Sequence, residues 1–333
     1  MPLSVWFLLS PIAHLLAYHE ARALYAKTAV PALVWQPVAL LPRAALDGAM
    51  NAPPIVFNRR LYADRRSRAA KHFAHHDFLH RRAMDDIVDR LETVKRDFPH
   101  ALFSGAGGLI DRLTPQCSVD RIISMDAAGR RLPTSGSRIV ADEEFLPLAP
   151  QSLNLFVSLL TLHVANDLVG ALTQARFALK PDGLFIAAVF GEETLRLLRR
   201  AFYEAEAQIT GGVSARITPF ASVQAYGQAL SRAGFALPVV DVDRVSVQYD
   251  EPMKLLRDLR GMGETRALST SAAPLRREVL TKAMEVFLQG GGTERFEIVY
   301  LTGWAPDQSQ QKPLRPGKGQ VALEDAIKNA SEE

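Results

Sequence analysis

The stretch HALFSGAGGLIDRL, residues 100–113, runs a short apolar segment into a glycine turn and then into helix-compatible sequence. Glycines at 105, 107 and 108 let a backbone turn tightly and approach a ligand without Cβ clashes. Gly105, Ala106 and Gly107 are therefore candidates for holding a nucleotide-type cofactor. Asp126 closes the next apolar run about twenty residues on, with Ala127 beside it, where a carboxylate can accept from ribose hydroxyls. Asp142 and Glu143 end the third run, where an acid can accept from an adenine amino group. Each acid alone reads as well as an ordinary loop residue; acids at successive strand tips read as a site. Phe103 and Ser104 stand just before the first glycine, where such sites usually carry an acid. One charge-assisted contact, worth about 1.5–3 kcal/mol, is missing there.

Other residue types invite chemistry with less support. His163, with Asn166 and Asp167 close behind, follows the fourth apolar run and reads either as a base at the site's mouth or as part of a helix cap with Asn166 at the N-cap. Asp167 is the second weak catalytic candidate. Arg260, Met262 and Glu264 lie in a helical stretch before the last strand, where they either select substrate or pack between helices. His72, His75, His76 and His80 would put three imidazoles along one helix face, yet no matched carboxylate stands out, so a solvated basic helix is expected and no metal site is assigned. Neither a Ser–His–Asp nucleophile elbow nor a Walker loop is present.

Composition narrows the classes. The chain has 333 residues, 48% apolar and 23% charged, enough for one large α/β domain with appendages. Cys117 is the only cysteine, which excludes an internal disulfide and a cysteine-built zinc or iron–sulfur site. Net charge is only +3, which alone says little about nucleic acid, and no nucleic-acid partner is expected. Local charge is less even: Arg59, Arg60, Arg65, Arg66, Arg68, Lys71, Arg81 and Arg82 are opposed only by Asp64 and Asp77. That run reads as a solvated helix face, or as a site for a phosphate, RNA or an acidic partner.

The elements that must position these residues are legible from periodicity. Residues 64–97 lack Gly and Pro before Pro99 and predict one long or broken helix. Short apolar runs at 101–104, 121–126, 137–142, 153–160 and 183–191 predict strands of a parallel sheet covered on both faces. Helices are expected at 167–179, 192–209 and 222–235, a bent strand at 237–249, two helices within an insertion at 251–291, and a last strand at 292–305. This alternation predicts a doubly wound α/β sheet. VWFLLSPIAHLLAY, interrupted by Pro11 and His14, is too short to span a bilayer, so residues 1–50 are expected to be a poorly ordered extension, with Met50 a natural beginning. Residues 51–305 form the expected α/β domain, and 306–333 a polar tail with a short helix.

FNRRLYADRR, VADEEFLPLAPQSLNLFVS, LTLHVANDLVGAL, LKPDGLFIAAVFGEETL, ITPF, SRAGF, DLRGMGE and VYLTGW occur in this order. Together they resemble the respiratory complex I assembly factors of the class I S-adenosylmethionine-dependent methyltransferase superfamily, over about residues 55–330. That family includes an arginine hydroxylase acting on an iron–sulfur subunit of NADH:quinone oxidoreductase. The malonyl-carrier-protein methyltransferase of biotin synthesis is a more distant resemblance.

The resemblance implies a Rossmann-like, seven-stranded sheet whose last pair carries an antiparallel strand. It implies S-adenosyl-L-methionine as cofactor, with Gly105, Ala106 and Gly107 at its amino-acid end, Asp126 at the ribose, and Asp142 with Glu143 at the adenine. Ser158 and Leu159 would pass beneath the sulfonium. Phe103, Ser104 and the shortened loop depart from that grip and imply weakened binding. The implied function is modification of an arginine on the iron–sulfur partner, by hydroxylation or methylation. Alternatives are a methyltransferase acting on a small molecule or carrier protein, and an assembly chaperone with a vestigial pocket. The expected location is the bacterial cytoplasm, or the mitochondrial matrix in a eukaryote.

Overall fold

Near-continuous apolar strands are stable only when both faces are covered, and the sheet of this protein is built that way. The computed structural model describes residues 55–310; the expected N-terminal extension and most of the polar tail lie outside the described residues. Seven strands, β1 (Phe98–Ser104), β2 (Val119–Asp126), β3 (Ser137–Val140), β4 (Leu153–Leu159), β5 (Leu179–Phe190), β6 (Ala236–Gln248) and β7 (Thr293–Trp304), form one sheet. Their order is β3-β2-β1-β4-β5-β7-β6. β1 to β5 pair in parallel, and β7 runs antiparallel to both of its neighbours. The order reverses between β1 and β4, the switch point at which open α/β sheets bind ligands. Register brings the chemistry to one level there: Ser104 lies opposite Ser158 on β4 and Met125 on β2, and Asp126 opposite Val140 on β3.

Among the described residues, seven α-helices surround the sheet: α1 (Arg59–Ala69), α2 (Phe78–Thr93), α3 (Leu168–Ala178), α4 (Arg196–Thr210), α5 (Val223–Arg232), α6 (Pro252–Met262) and α7 (Arg277–Gln289). One apolar core joins α2, α4, α6 and α7 to one face of the sheet, and a second joins α3 and α5 to the other. The stretch expected as one long or broken helix is broken: a 3-10 segment at 70–75 separates α1 from α2. α1 starts earlier than its apolar pattern indicates, because the Asn58 side chain accepts from the Leu61 N–H and caps it. α4 starts later than expected, after a turn in which Leu195 takes a φ of 59°.

Parallel strands are normally joined by a crossover helix. Here the β1–β2 and β2–β3 connections carry only short 3-10 turns. α2 takes up the uncovered surface, burying Leu79, Ala83, Met84, Ile87, Val88 and Leu91 along one stripe against β4 and the turns that follow β1. Each large side chain so buried contributes about 1.5–3 kcal/mol. α1, tethered to α2, is thereby laid over the strand tips. Its inward residues are Arg59, Tyr62, Arg66 and Ala69, a face largely polar where a core-facing helix would be apolar.

Candidate functional site

The glycine loop is wedged tightly into the switch point. Gly105 has a φ of +76°, and its N–H donates to Met125 O at 2.9 Å. A Cβ at position 105 would lie 2.5 Å from the Leu159 carbonyl oxygen, so only glycine fits. Gly107, at φ +55°, presses in the same way on the Arg131 carbonyl oxygen. Ala106 between them is fully buried. Ser158 and Leu159 close β4 beneath this loop, with Ser158 Oγ 2.9 Å from Thr161 Oγ1. The cofactor-loop residues read from the sequence therefore do converge.

The acids at the strand tips converge as well, and each is met by an arginine of α1. Arg66, fully buried, brings Nη2 to 2.8 Å from Asp126 Oδ2 and Nε to 3.4 Å from Oδ1. The same guanidinium reaches Glu264 at 3.4 Å, Tyr62 Oη at 3.2 Å and the Gly105 carbonyl at 3.5 Å. Asp126 also accepts from the Ala128 N–H at 2.7 Å, turning the chain at Ala127. Two helical turns earlier, Arg59 donates to Asp142 at 2.7 and 2.9 Å and to Glu143 at 3.0 Å. Burial alone would discharge both guanidiniums, but these carboxylates hold each above its ordinary value. Tyr62 lies between the two cations, about equally close to each, and burial pushes its phenol up.

The carboxylate missing from the tip of β1 arrives from elsewhere. Ser104 Oγ donates to Glu143, itself buried, so an acid from beyond β3 stands where the sequence of β1 offers only Phe103 and Ser104. Glu264 is equally central. Its Oε2 lies 3.0 Å from His163 Nε2, while Oε1 accepts from Tyr62 and Arg66. His163 is buried against Phe190 and Phe220. Phe220 also lines a cavity of about 600 Å³ with Ile217, Tyr203, Glu192, Arg199 and Leu268. The histidine thus sits behind the Phe220 wall of this cavity.

Among the described residues, Arg131, His80 and the half-buried His100 have buried side-chain nitrogens none of which has a hydrogen-bond partner, and the first two lie together. Arg131, on the turn after β2, leaves Nε, Nη1 and Nη2 unpaired at 6% exposure. His80 on α2 leaves both ring nitrogens unpaired. Phe73 touches both, with the Arg131 guanidinium 3.1 Å over its ring centre and the His80 ring edge-on at 4.9 Å. Burial, and then the charge of Arg66, push Arg131 down to about 9. A desolvated cation–π contact is worth about 2 kcal/mol, whereas an ion held out of water costs several.

The remaining expectations separate. Asp167, exposed, is the N-cap of α3 and accepts from the Gly170 N–H at 2.7 Å. Asn166 is not the cap: its side chain holds the backbone of Val56 and Phe57, fixing the entry to α1. Met262 is in the apolar core, Arg260 is exposed, and only Glu264 of that trio reaches the site. The three imidazoles expected along one face, His72, His76 and His80, have different surroundings: His72 is exposed, His76 bonds Asp258 at 2.8 Å, and His80 is fully buried. Among the described residues no group of three His, Cys, Asp or Glu is placed to hold a metal. The basic run divides: Arg60, Arg68, Lys71, Arg81 and Arg82 are exposed, as a solvated face requires, whereas Arg59 and Arg66 face inward onto the chain's own acids. Arg59, Tyr62, Arg66 and Arg131 are the functional candidates that reading the sequence missed; the helical spacing of the first three was the available signal.

The donor set fits S-adenosylmethionine in kind. Asp126 suits ribose hydroxyls, Asp142 and Glu143 suit an adenine amine, and the orphaned Arg131 suits an anionic group at the glycine loop. Arg66 and Arg59 hold the same carboxylates, so an adenosine and the two guanidiniums compete for them.

No protein-family model matches the chain. The arginine-hydroxylase NDUFAF5, mitochondrial, of Danio rerio is 35% identical over 267 residues, 76% of this chain and 83% of its own length. The malonyl-acyl-carrier-protein O-methyltransferase of Laribacter hongkongensis (strain HLHK9) is 30% identical over 275 residues, 75% of this chain and 91% of its own. Among solved structures, the YcgJ protein of Bacillus subtilis superposes with a TM-score of 0.46 at 16% identity, covering 68% of this chain and 99% of its own.

Proposed function

The chain belongs to the arginine-hydroxylase NDUFAF5 family, and on that premise we propose that it modifies an arginine side chain of a partner polypeptide by hydroxylation. That step is a two-electron oxidation of C–H to C–OH whose oxygen atom comes from dioxygen together with a separate two-electron donor, water being the second product. The observation that carries this reading is the Arg66 guanidinium, which reaches past the cofactor side of the crevice to Glu264 and Tyr62 Oη and to the Gly105 carbonyl. A site whose carboxylates, phenol and carbonyl accept the fork of an arginine from its own helix has the chemistry to accept one from outside. The proposed partner is an iron–sulfur subunit of NADH:quinone oxidoreductase, which the sequence resemblance supports, and the proposed place of action is wherever that enzyme is assembled.

In this reading Gly105, Ala106, Gly107, Asp126, Ala127, Asp142, Glu143, Ser158 and Leu159 form the cofactor side of the crevice. S-adenosylmethionine, when bound, supplies a sulfonium and an activated methyl group. Glu264 orients the substrate guanidinium, and His163, hydrogen-bonded to Glu264, exchanges a proton with it. Phe190 and Phe220 exclude water from the imidazole. Affinity for the cofactor is set by how readily α1 releases its two arginines.

Methyl transfer is the second reading, favoured by the positive-φ glycine turn beside Asp126 and by likeness to the O-methyltransferase. Tandem mass spectrometry of the partner subunit from cells with and without this protein separates the two. A gain of one oxygen on an arginine is the expected result, and a gain of one methylene selects the second reading. An unmodified partner in both strains overturns both.

A further inference from the structure

We infer that Arg131 is the receptor for the carboxylate of an amino-acid-like ligand group seated at the glycine loop, with His80 as a neutral donor beside it; the inference rests on the cofactor reading of this crevice. The Arg131 backbone carbonyl closes the inner side of Gly107, so its side chain belongs to the loop's own rim. All three guanidinium nitrogens are buried and unpartnered, and Phe73 covers the flat face of the group. A guanidinium stacked in that way keeps its in-plane N–H fork free, the geometry that matches a planar carboxylate.

Charge decides the class of ligand. Arg131 alone supplies one positive charge, because His80 is held neutral by burial and by the neighbouring Arg131, Arg66 and His163. One positive charge suits a monoanion. Asp126 and Glu264 are close enough for their charges to act on Arg131, and they oppose a phosphate dianion while favouring an ammonium. A carboxylate with an adjacent ammonium satisfies both halves of this environment. The source is either the methionine end of the sulfonium cofactor or a free amino acid.

Calorimetric titration of the full chain separates these sources. The probes are S-adenosylmethionine, methylthioadenosine, which lacks the carboxylate and ammonium, and methionine. Arg131→Gln is expected to weaken S-adenosylmethionine by about ten- to hundredfold and to leave methylthioadenosine unchanged. Equal losses for both nucleosides, or no loss for either, overturn the inference. If wild type binds neither nucleoside but binds methionine through Arg131, the receptor stands and the cofactor reading falls. If no probe binds, both fall. Arg131→Met guards against a merely structural role: without ligand its melting temperature is expected to equal or exceed that of wild type, and a marked fall overturns the assignment. Arg131→Lys keeps the charge without the fork and is expected to bind S-adenosylmethionine more weakly than wild type; full wild-type affinity overturns the inference.

Discussion

Arg66 and Asp126 form a two-point ion pair, 2.8 Å at its shorter contact, with both side chains closed off from solvent. Asp126 is the carboxylate that ends β2 at the switch point, so the group best placed for a ribose is held by the protein's own helix. The pair ties α1 to the sheet, and on the proposed cofactor reading ligand entry and α1 position are two aspects of one equilibrium.

Removing one partner of such a pair strands the other as an uncompensated charge. Arg66→Met is expected to cost about 3–5 kcal/mol, read as a lower urea midpoint. Adding Asp126→Asn, which still accepts from the Ala128 N–H, is expected to recover most of the loss. Additive losses in the double variant would show that the two groups are not coupled.

Arg59 makes the opposite test, of affinity. It is partly exposed and shares Asp142 and Glu143, so Arg59→Gln is expected to fold and to free both acids. Methylthioadenosine is then expected to bind several-fold more tightly by calorimetry. Unchanged or weaker binding sinks the idea that helix and nucleoside compete.

The two neighbouring glycines separate geometry from composition. Gly105→Ala meets a positive φ and a backbone oxygen at 2.5 Å, and is expected to destabilise by about 2–4 kcal/mol. Gly108 has no positive φ and open space around its Cα. Gly108→Ala is expected to change stability by less than about 1 kcal/mol, with a slight gain the favoured sign. Thermal denaturation of both variants checks the contrast.

His80 predicts a pH dependence. Burial, then Arg131, Arg66 and His163, hold its imidazole well below the ordinary histidine range in the folded protein. The unfolded chain therefore takes up a proton near pH 6.5 that the folded chain refuses. Stability falls as pH drops below that value, at up to about 1.4 kcal/mol per pH unit from this residue. His80→Phe is expected to flatten the profile of urea midpoint against pH between about 6.5 and 5, and a slope identical to wild type would refute the assignment.

How much of this was legible beforehand differs from residue to residue. Leu155, Phe156 and Val157, or Phe185 and Ile186, reveal a doubly covered strand because apolar side chains must leave water whatever they touch. Gly105 reveals a turn, and Asp126 and Asp142 reveal themselves as acids at strand tips, because strand ends are local events. Seven strands and the switch point follow from that local reading together with the family resemblance.

Arg59 and Arg66 show the opposite case. Their helix was legible, but their partners lie 83 and 60 residues away along the chain. Glu143 reaching Ser104, and Glu264 reaching His163, are equally remote. Asn166 and Asp167 are both competent caps, and a hydrogen bond to Val56 and Phe57 assigned the first of them elsewhere. Burial and turn formation depend on each residue's own chemistry, so the sequence alone determined the strands, helices and glycine loop. Charge pairing depends on which surfaces meet, and only the folded chain decided that two arginines would stand at the strand-tip acids.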